Sequence, residues 1–195
     1  MKKIIHITIY SSLAALLIQA TGCKKDYTNP NAATSTQVLS SAKGLVGVVV
    51  GIQKTYTANV AYGMSDATGL VTNETFLLNP GNTSELQFST GGTAVDGTNG
   101  LLGNVWTSAS KVIYDANNVI TAASQLSDKG YASGLIGYAS ILKALSIGCM
   151  AGYWEKVPDT IGINNATFSD RMTGYARAIA AIDKAITTIN ANAIS

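Results

Sequence analysis

Apolar residues recur at alternating steps of four and three in four stretches of the chain, the spacing that returns to one face of an α-helix. We predict helices over residues 35–56 and 101–126, a third from a turn at residues 127–130 to Tyr153-Trp154, and a fourth from near Ser169. The third cannot run through Pro158, which lacks a backbone donor and clashes with the preceding turn. We expect the four stripes to meet in one interior. They are Val38, Ala42, Leu45, Val49, Ile52 and Tyr56; Val105, Ala109, Val112, Ala116, Val119, Ala123 and Leu126; Tyr138, Leu142, Leu145 and Cys149; and Met172, Tyr175, Ile179, Ile182, Ile186 and Ile189.

The region between the first two stripes lacks this pattern. Residues 60–71 fit either a short helix or an extended piece, and residues 72–100 are rich in Asn, Thr, Ser and Gly. We predict one long irregular surface loop there, with a short strand at residues 85–88. We expect the loop to be ordered, because Phe76, Leu77, Leu78 and Phe88 give it something to bury; the alternative is a disordered segment.

The predicted fold is all-α, a bundle of antiparallel helices with this one long loop. The run Gly-Tyr-Ala at residues 137–139 recurs at residues 174–176. Each copy opens a helix of small and apolar residues, which suggests tetratricopeptide-like helix pairs.

The N-terminus has the pattern of a targeting segment. Lys2 and Lys3 precede a mostly apolar stretch at residues 4–18, and small residues then lead to Cys23. This resembles a bacterial lipoprotein signal, cleaved before Cys23 so that the cysteine can be lipidated; the alternative is an ordinary secretory signal with a chance Cys. We therefore predict a signal peptide over residues 1–22, a polar tether over 23–33 and a helical domain over 34–195. Several acyl chains on Cys23 would anchor the protein without a spanning helix.

Composition excludes several functions. Only 12% of the 195 residues are charged, so we expect no nucleic-acid partner. The single histidine, His6, lies in the predicted signal peptide, which leaves no Ser-His-Asp or Cys-His mechanism for the mature chain. We find no nucleotide motif and no metal-ligand cluster, and expect no cofactor and no metal. A glycosidase needs two carboxylates on either side of the sugar, and the pairs Glu74–Glu85 and Glu155–Asp159 are the candidates for this role. Pairs of this kind also arise by chance. We therefore predict that the protein is not an enzyme.

Binding a sugar requires less than catalysis: aromatic faces for stacking and a few polar groups for the hydroxyls. The loop and its junction with the second helix offer such groups, with the alternative that Trp106 is core and the polar side chains are only solvated. Asn117 is open to two interpretations, a core amide bonded to neighbouring backbone or a ligand contact. Cys149 is expected to be a small core residue. The candidate ligand-binding residues are Asp66, Asn73, Asn82, Asp96, Asn99 and Trp106.

Several motifs follow one another in an order typical of a known family. After Cys23 come a Lys-Asp pair and an Asn-Pro linker; the second helix carries Trp106, Tyr114 and the run ANNVI at residues 116–120. The third helix contains Lys-Ala-Leu and closes with WEKVP at residues 154–158. This arrangement resembles the SusD/RagB group of outer-membrane nutrient-binding lipoproteins, although the group's usual Gly-Asp step before Val-Pro is missing here.

The resemblance implies a lipid-anchored, surface-exposed protein of the outer membrane. Such a protein captures a nutrient, here expected to be an oligosaccharide, and caps a TonB-dependent, SusC-like transporter barrel. Family members are much longer, so this chain corresponds to their N-terminal portion. Two alternatives stay open: a helical protein-interaction adaptor, or a fragment of such a lipoprotein that does not bind ligand.

Overall fold

The computed structural model describes residues 35–195, and this part of the chain is mostly helical. The predicted all-α bundle is thereby confirmed. The signal peptide, the tether and Cys23 lie outside the described residues. The helices are α1 (Ser35–Leu39), α2 (Ala42–Thr55), α3 (Tyr62–Thr72), α4 (Thr83–Thr90), α5 (Gly100–Ala123), α6 (Lys129–Tyr153) and α7 (Arg171–Ala191), and two short strands, β1 (Lys156–Pro158) and β2 (Phe168–Asp170), pair antiparallel.

Helix α6 is the centre of the bundle, with α5 and α7 packed against it. A Cβ added to Gly137, early in α6, would lie 2.8 Å from Ile189 Cδ1, late in α7. One added to Gly174, early in α7, would lie 3.1 Å from Ala151 Cβ, late in α6. The two helices are therefore antiparallel and close. By length and composition α6 could span a membrane, but 67% of its most apolar window is buried in the bundle, as suits a core helix.

Helix α5 is also antiparallel to α6. Its C-terminal half shares one core cluster with the N-terminal half of α6, and its N-terminal half shares a second cluster with the end of α6. All of its predicted stripe from Val105 to Ala123 is buried. Leu126 lies beyond the end of the helix and is only partly buried.

The first predicted helix is both interrupted and extended. Ser41 starts α2, and its hydroxyl accepts a hydrogen bond from Gly44 N at 3.1 Å. Beyond the predicted end at Tyr56 the chain continues through a π-helical turn, Tyr56–Ala61, directly into α3. The predicted burial of Leu45 and Ile52 is confirmed. A Cβ added to Gly47 or Gly51 of α2 would meet nothing within 4 Å.

Residues 72–100 are less irregular than predicted. The predicted strand at residues 85–88 is wrong, because these residues belong to α4, whose N-terminus is capped by Asn82 accepting from Glu85 N. Phe88 is buried as expected, but Phe76 and Leu78 are 81% and 85% exposed. One buried ring is enough to dock this polar helix, so its sequence carries no apolar stripe.

The third and fourth predicted stripes do not face the core as a whole. In α6, Leu142 and Cys149 are buried, but Tyr138 and Leu145 are 41% and 46% exposed. In α7 four of the six stripe residues are exposed, among them Ile179 at 62%, whereas Ile182 and Ile189 are partly buried. Helix α7 approaches α6 closely at Gly174, where an added Cβ would lie 3.1 Å from Ala151 Cβ, and Ile189 packs on Gly137 near the other end. The exposed members of the α7 stripe are Met172, Tyr175, Ile179 and Ile186.

Candidate functional site

Asn99, a predicted ligand residue, is fully engaged in holding the fold. Its side chain is 4% exposed and caps α5, with Oδ1 accepting from Leu101 N at 3.0 Å and Leu102 N at 3.1 Å. Its Nδ2 donates to Ser84 O at 3.0 Å and to Gln87 Oε1 at 2.7 Å. All of its hydrogen-bonding groups thus have partners within the protein.

The other polar candidates also have structural roles. Asn82 caps α4, and Asn73 closes α3 in the left-handed conformation with φ 58°. Asp96 accepts from the backbone and hydroxyl of Thr98 and from Gln87, and these hydrogen bonds lower the pKa of its carboxyl. Gln87 brings Asp96 and Asn99 into one network, whereas Asp66 lies half-buried on α3. Ligand binding by these residues stays a prediction.

Trp106 lies in an aromatic cluster at the edge of the bundle. Its ring meets Trp154 edge-on, with centroids 5.1 Å apart, and stacks on Phe168 with centroids 6.4 Å apart and planes at 17°. Trp106 also packs against the buried cluster around Met150, while Phe168 is 52% exposed. In this cluster Trp106 packs against the core, and the ring of Phe168 on β2 is accessible to solvent.

A groove runs between α5 and α7 with α6 as its floor. It consists of two cavities of about 370 Å³ each, and both are lined by Lys143, Ala181 and Lys184. The first cavity also reaches β1 and the following loop. Its other lining residues include Ile113 and Asn117 from α5 and Ile147 from α6. We call these two cavities together the α5–α7 groove.

Cationic side chains dominate the polar part of this groove. Lys143 rises from the middle of α6 and is half-buried, and Lys184 faces it from α7. Burial lowers the pKa of the Lys143 ammonium, and the nearby charges of Lys184 and Arg177 lower it further. Within residues 35–195, neither lysine has a carboxylate within ion-pair distance.

Arg177 is the third cation and is only partly satisfied. Its Nη1 donates to Pro158 O at 2.9 Å and lies 3.5 Å from Asp159 Oδ1. Its Nε and Nη2 are buried and have no hydrogen-bond partner among the described residues. Buried donors without partners typically cost about 1–3 kcal/mol each, so this guanidinium would be stabilised by an acceptor.

Asp159 is the acidic side chain of the groove, and it is held by the β1–β2 ribbon. Its carboxylate accepts hydrogen bonds from the hydroxyls of Ser169 and Thr167. These bonds, with the charge of Arg177 as a smaller contribution, lower the pKa of the Asp159 carboxyl. Three cations and one carboxylate leave the lining with a net positive charge.

A second surface lies on the opposite side of the α6–α7 pair and is apolar. Ile141 and Leu145 from α6 and Tyr175 and Ile179 from α7 flank a depression of about 530 Å³. Ile141 is 50% exposed, and Gly148 forms part of the depression. We call this surface the outer apolar face. Contiguous exposed apolar side chains often mark contact surfaces.

Cys149 is buried beside this face, as predicted for a small core residue. Burial raises the pKa of its thiol from 9.0 to about 11, so the thiol is protonated at neutral pH and is a poor nucleophile. Among residues 35–195, His, Cys, Asp and Glu form no cluster that could hold a metal ion.

Sequence analysis did not single out the cations of the groove. Arg177 and Lys184 are seven residues apart, two turns along one face of α7, and Lys143 is the single charge within a long apolar and small-residue run of α6. That isolated lysine was the available signal. Asn117 does prove to line the groove, and its side chain makes no hydrogen bond to the described residues.

The chain matches no protein-family model, and neither the curated proteins nor the solved structures give a significant match. What the groove can bind is therefore inferred from its own residues.

Proposed function

We propose that this protein is a cell-surface lipoprotein that captures a nutrient, such as a glycan, for import through a TonB-dependent transporter barrel. The α5–α7 groove carries the proposal, because its size falls in the range of small-molecule sites and its lining mixes apolar surface with a few polar groups. The N-terminal pattern ending at Cys23 and the order of motifs that resembles the SusD/RagB group give further support.

Glycan capture is tested by closing the groove. Ala181 lines both cavities, so Ala181→Phe places a ring where the ligand would lie. Ala176 is exposed on the same helix and lines neither cavity, so Ala176→Phe is the matched control. We expect the wild-type chain and the control to be retained on a panel of immobilised glycans and Ala181→Phe to be lost. Retention of no glycan, or equal retention of both variants, would contradict the proposal.

Anchoring is tested separately. We expect mass spectrometry of the membrane-extracted protein to find an acylated N-terminal Cys23, and Cys23→Ala to release the protein from the membrane fraction. An unmodified Cys23 in protein that still sediments with membranes would rule out the lipoprotein assignment.

The outer apolar face favours a second candidate function, a helical adaptor that contacts the barrel without holding a ligand. Ile179 is 62% exposed and Tyr175 39%, so Ile179→Asp changes this surface with little effect on the core. If the chain co-purifies with an outer-membrane barrel, Ile179→Asp abolishes this, and no glycan is retained, the adaptor is the better description.

A further inference from the structure

We propose that the α5–α7 groove binds an acidic sugar chain through a carboxylate placed among Lys143, Arg177 and Lys184. This inference rests on the proposed function, since it names the class of ligand for the same groove. It goes beyond glycan capture in predicting that a neutral glycan of the same shape is rejected.

The charges of Lys143 and Lys184 are not compensated by an ion pair within residues 35–195. Three cations converge from two helices on cavities that share Lys143 and Lys184. Asp159 is the carboxylate of this lining; it accepts hydrogen bonds from Thr167 and Ser169 and lies 3.5 Å from Arg177 Nη1, so it offsets the charge of Arg177 and leaves that of the two lysines. Like charges held together repel one another. An anion between them removes that repulsion, so it binds where a neutral group gains little.

The guanidinium of Arg177 can add hydrogen bonds to a bound carboxylate. Its Nη1 is used by Pro158 O, which fixes one end of the guanidinium on the ribbon. The two remaining positions, Nε and Nη2, lack partners in the part of the chain described. These two nitrogens lie on one edge of the guanidinium and donate in parallel, which matches the two oxygens of a carboxylate. Both nitrogens are buried, so the proposal requires the Arg177 side chain to rotate toward the groove when a carboxylate binds.

The remainder of the groove suits the uncharged part of a sugar chain. Ile161 gives partly exposed apolar surface on which a sugar ring can lie, whereas the lining residues Ile113 and Ile147 are themselves buried. The Asn117 amide makes no hydrogen bond within residues 35–195 and can bond the sugar hydroxyls. Beyond the two lysines the second cavity is lined by hydroxyl side chains. They are Thr121, Ser124, Ser140 and Thr188. Since Lys143 and Lys184 line both cavities and Arg177 lines the first, the groove fits a chain of sugars with a carboxylate near its middle.

The test compares two ligands with the same sugar chain, one with charged carboxylates and one with neutral methyl esters. Tetragalacturonate and its fully methyl-esterified form share one carbohydrate body, and binding of each to the full chain in mild detergent is measured by calorimetry at low salt. We expect the acid to bind and the ester to bind at least roughly tenfold more weakly, the size expected when hydrogen bonds to a charged group are lost. Raising the salt concentration should weaken binding of the acid alone.

Charge-removing variants locate the effect. Lys143→Met and Lys184→Met keep the apolar stem and remove the ammonium, and neither ammonium has an ion pair in residues 35–195 that the change would break. Each should weaken tetragalacturonate binding by roughly fivefold or more. Lys54→Met, at an exposed position on α2 outside the groove, is the matched control and should leave the affinity unchanged.

The outcomes separate this inference from the proposed function. If acid and ester bind with equal affinity, or if the lysine variants bind as well as the wild type, the preference for an acidic ligand is refuted. Neither result contradicts glycan capture. The same holds if tetragalacturonate fails to bind a chain that is retained on immobilised neutral glycans. If no sugar of any kind is retained, both proposals fall. Binding of sodium sulfate with no binding of tetragalacturonate would reduce the groove to a small-anion site and also overturn the inference.

Discussion

The orientation of α7 can be tested with a pair of isoleucines. Sequence periodicity places Ile179 in the core, whereas the structure leaves it 62% exposed; Ile52 of α2 is 1% exposed. Complete burial of an isoleucine side chain stabilises a protein by about 1.5–3 kcal/mol, and Ile179 buries little more than a third of its surface. We therefore expect Ile179→Ala to lower the free energy of unfolding by about 1 kcal/mol or less.

Ile52→Ala provides the reference, because it removes a fully buried side chain and leaves a cavity. Its expected cost is about 2–5 kcal/mol. For a chain of this size, each kcal/mol corresponds to about 2–4 °C in melting temperature, so the two variants should be well separated by circular dichroism. If Ile179→Ala costs as much as Ile52→Ala, α7 turns its large residues inward and the described packing is wrong.

Three further predictions concern single residues. Gly47→Ala should raise the free energy of unfolding by up to about 1 kcal/mol through helix propensity, whereas Gly44→Ala should lower it, because its Cβ would lie 2.0 Å from Val38 O; thermal unfolding showing the same sign for both would contradict this. Asn99→Ala should cost about 2 kcal/mol by removing a buried cap, and an unchanged denaturant midpoint would show that the cap is dispensable. Cys149 should react slowly with a thiol reagent at pH 8 and rapidly in urea. Because its pKa is about 11 in the fold and 9.0 as the ordinary value, the unfolded thiol ionises first and stability should fall from pH 9 to 11; flat stability across that range would refute the shift.

The helices that sequence analysis predicted best are those with one apolar stripe. In α5 the residues from Val105 to Ala123 form a single series, so periodicity identifies both the helix and its buried face. Helix α7 has two such series, one of large residues and one of small residues that includes Gly174 and Ala185. Periodicity cannot tell which of the two packs on α6; in the structure the small series does so at Gly174, and Ile189 of the large series joins it at Gly137.

The groove was harder to predict from the sequence than the helices were. Lys143 could have been noticed as a charge inside an otherwise apolar helix, but Arg177 and Lys184 resemble ordinary solvent-facing cations. Only the antiparallel packing of α6 and α7 brings the three together, and that packing depends on contacts distant in sequence. Asparagines were predicted as ligand residues because their amides can bind sugar hydroxyls, but asparagine also caps helices. In the structure Asn73, Asn82 and Asn99 are such caps.

The central claim is that a ligand binds between α5, α6 and α7, and nuclear magnetic resonance can locate it directly. When tetragalacturonate is titrated into isotope-labelled protein, we predict that the largest chemical-shift changes occur at the Asn117 side-chain amide and around Lys143 and Arg177. Shifts confined to the Asn99 amide and the Trp106 indole, with the groove unchanged, would contradict the account and return the site to the region predicted from sequence.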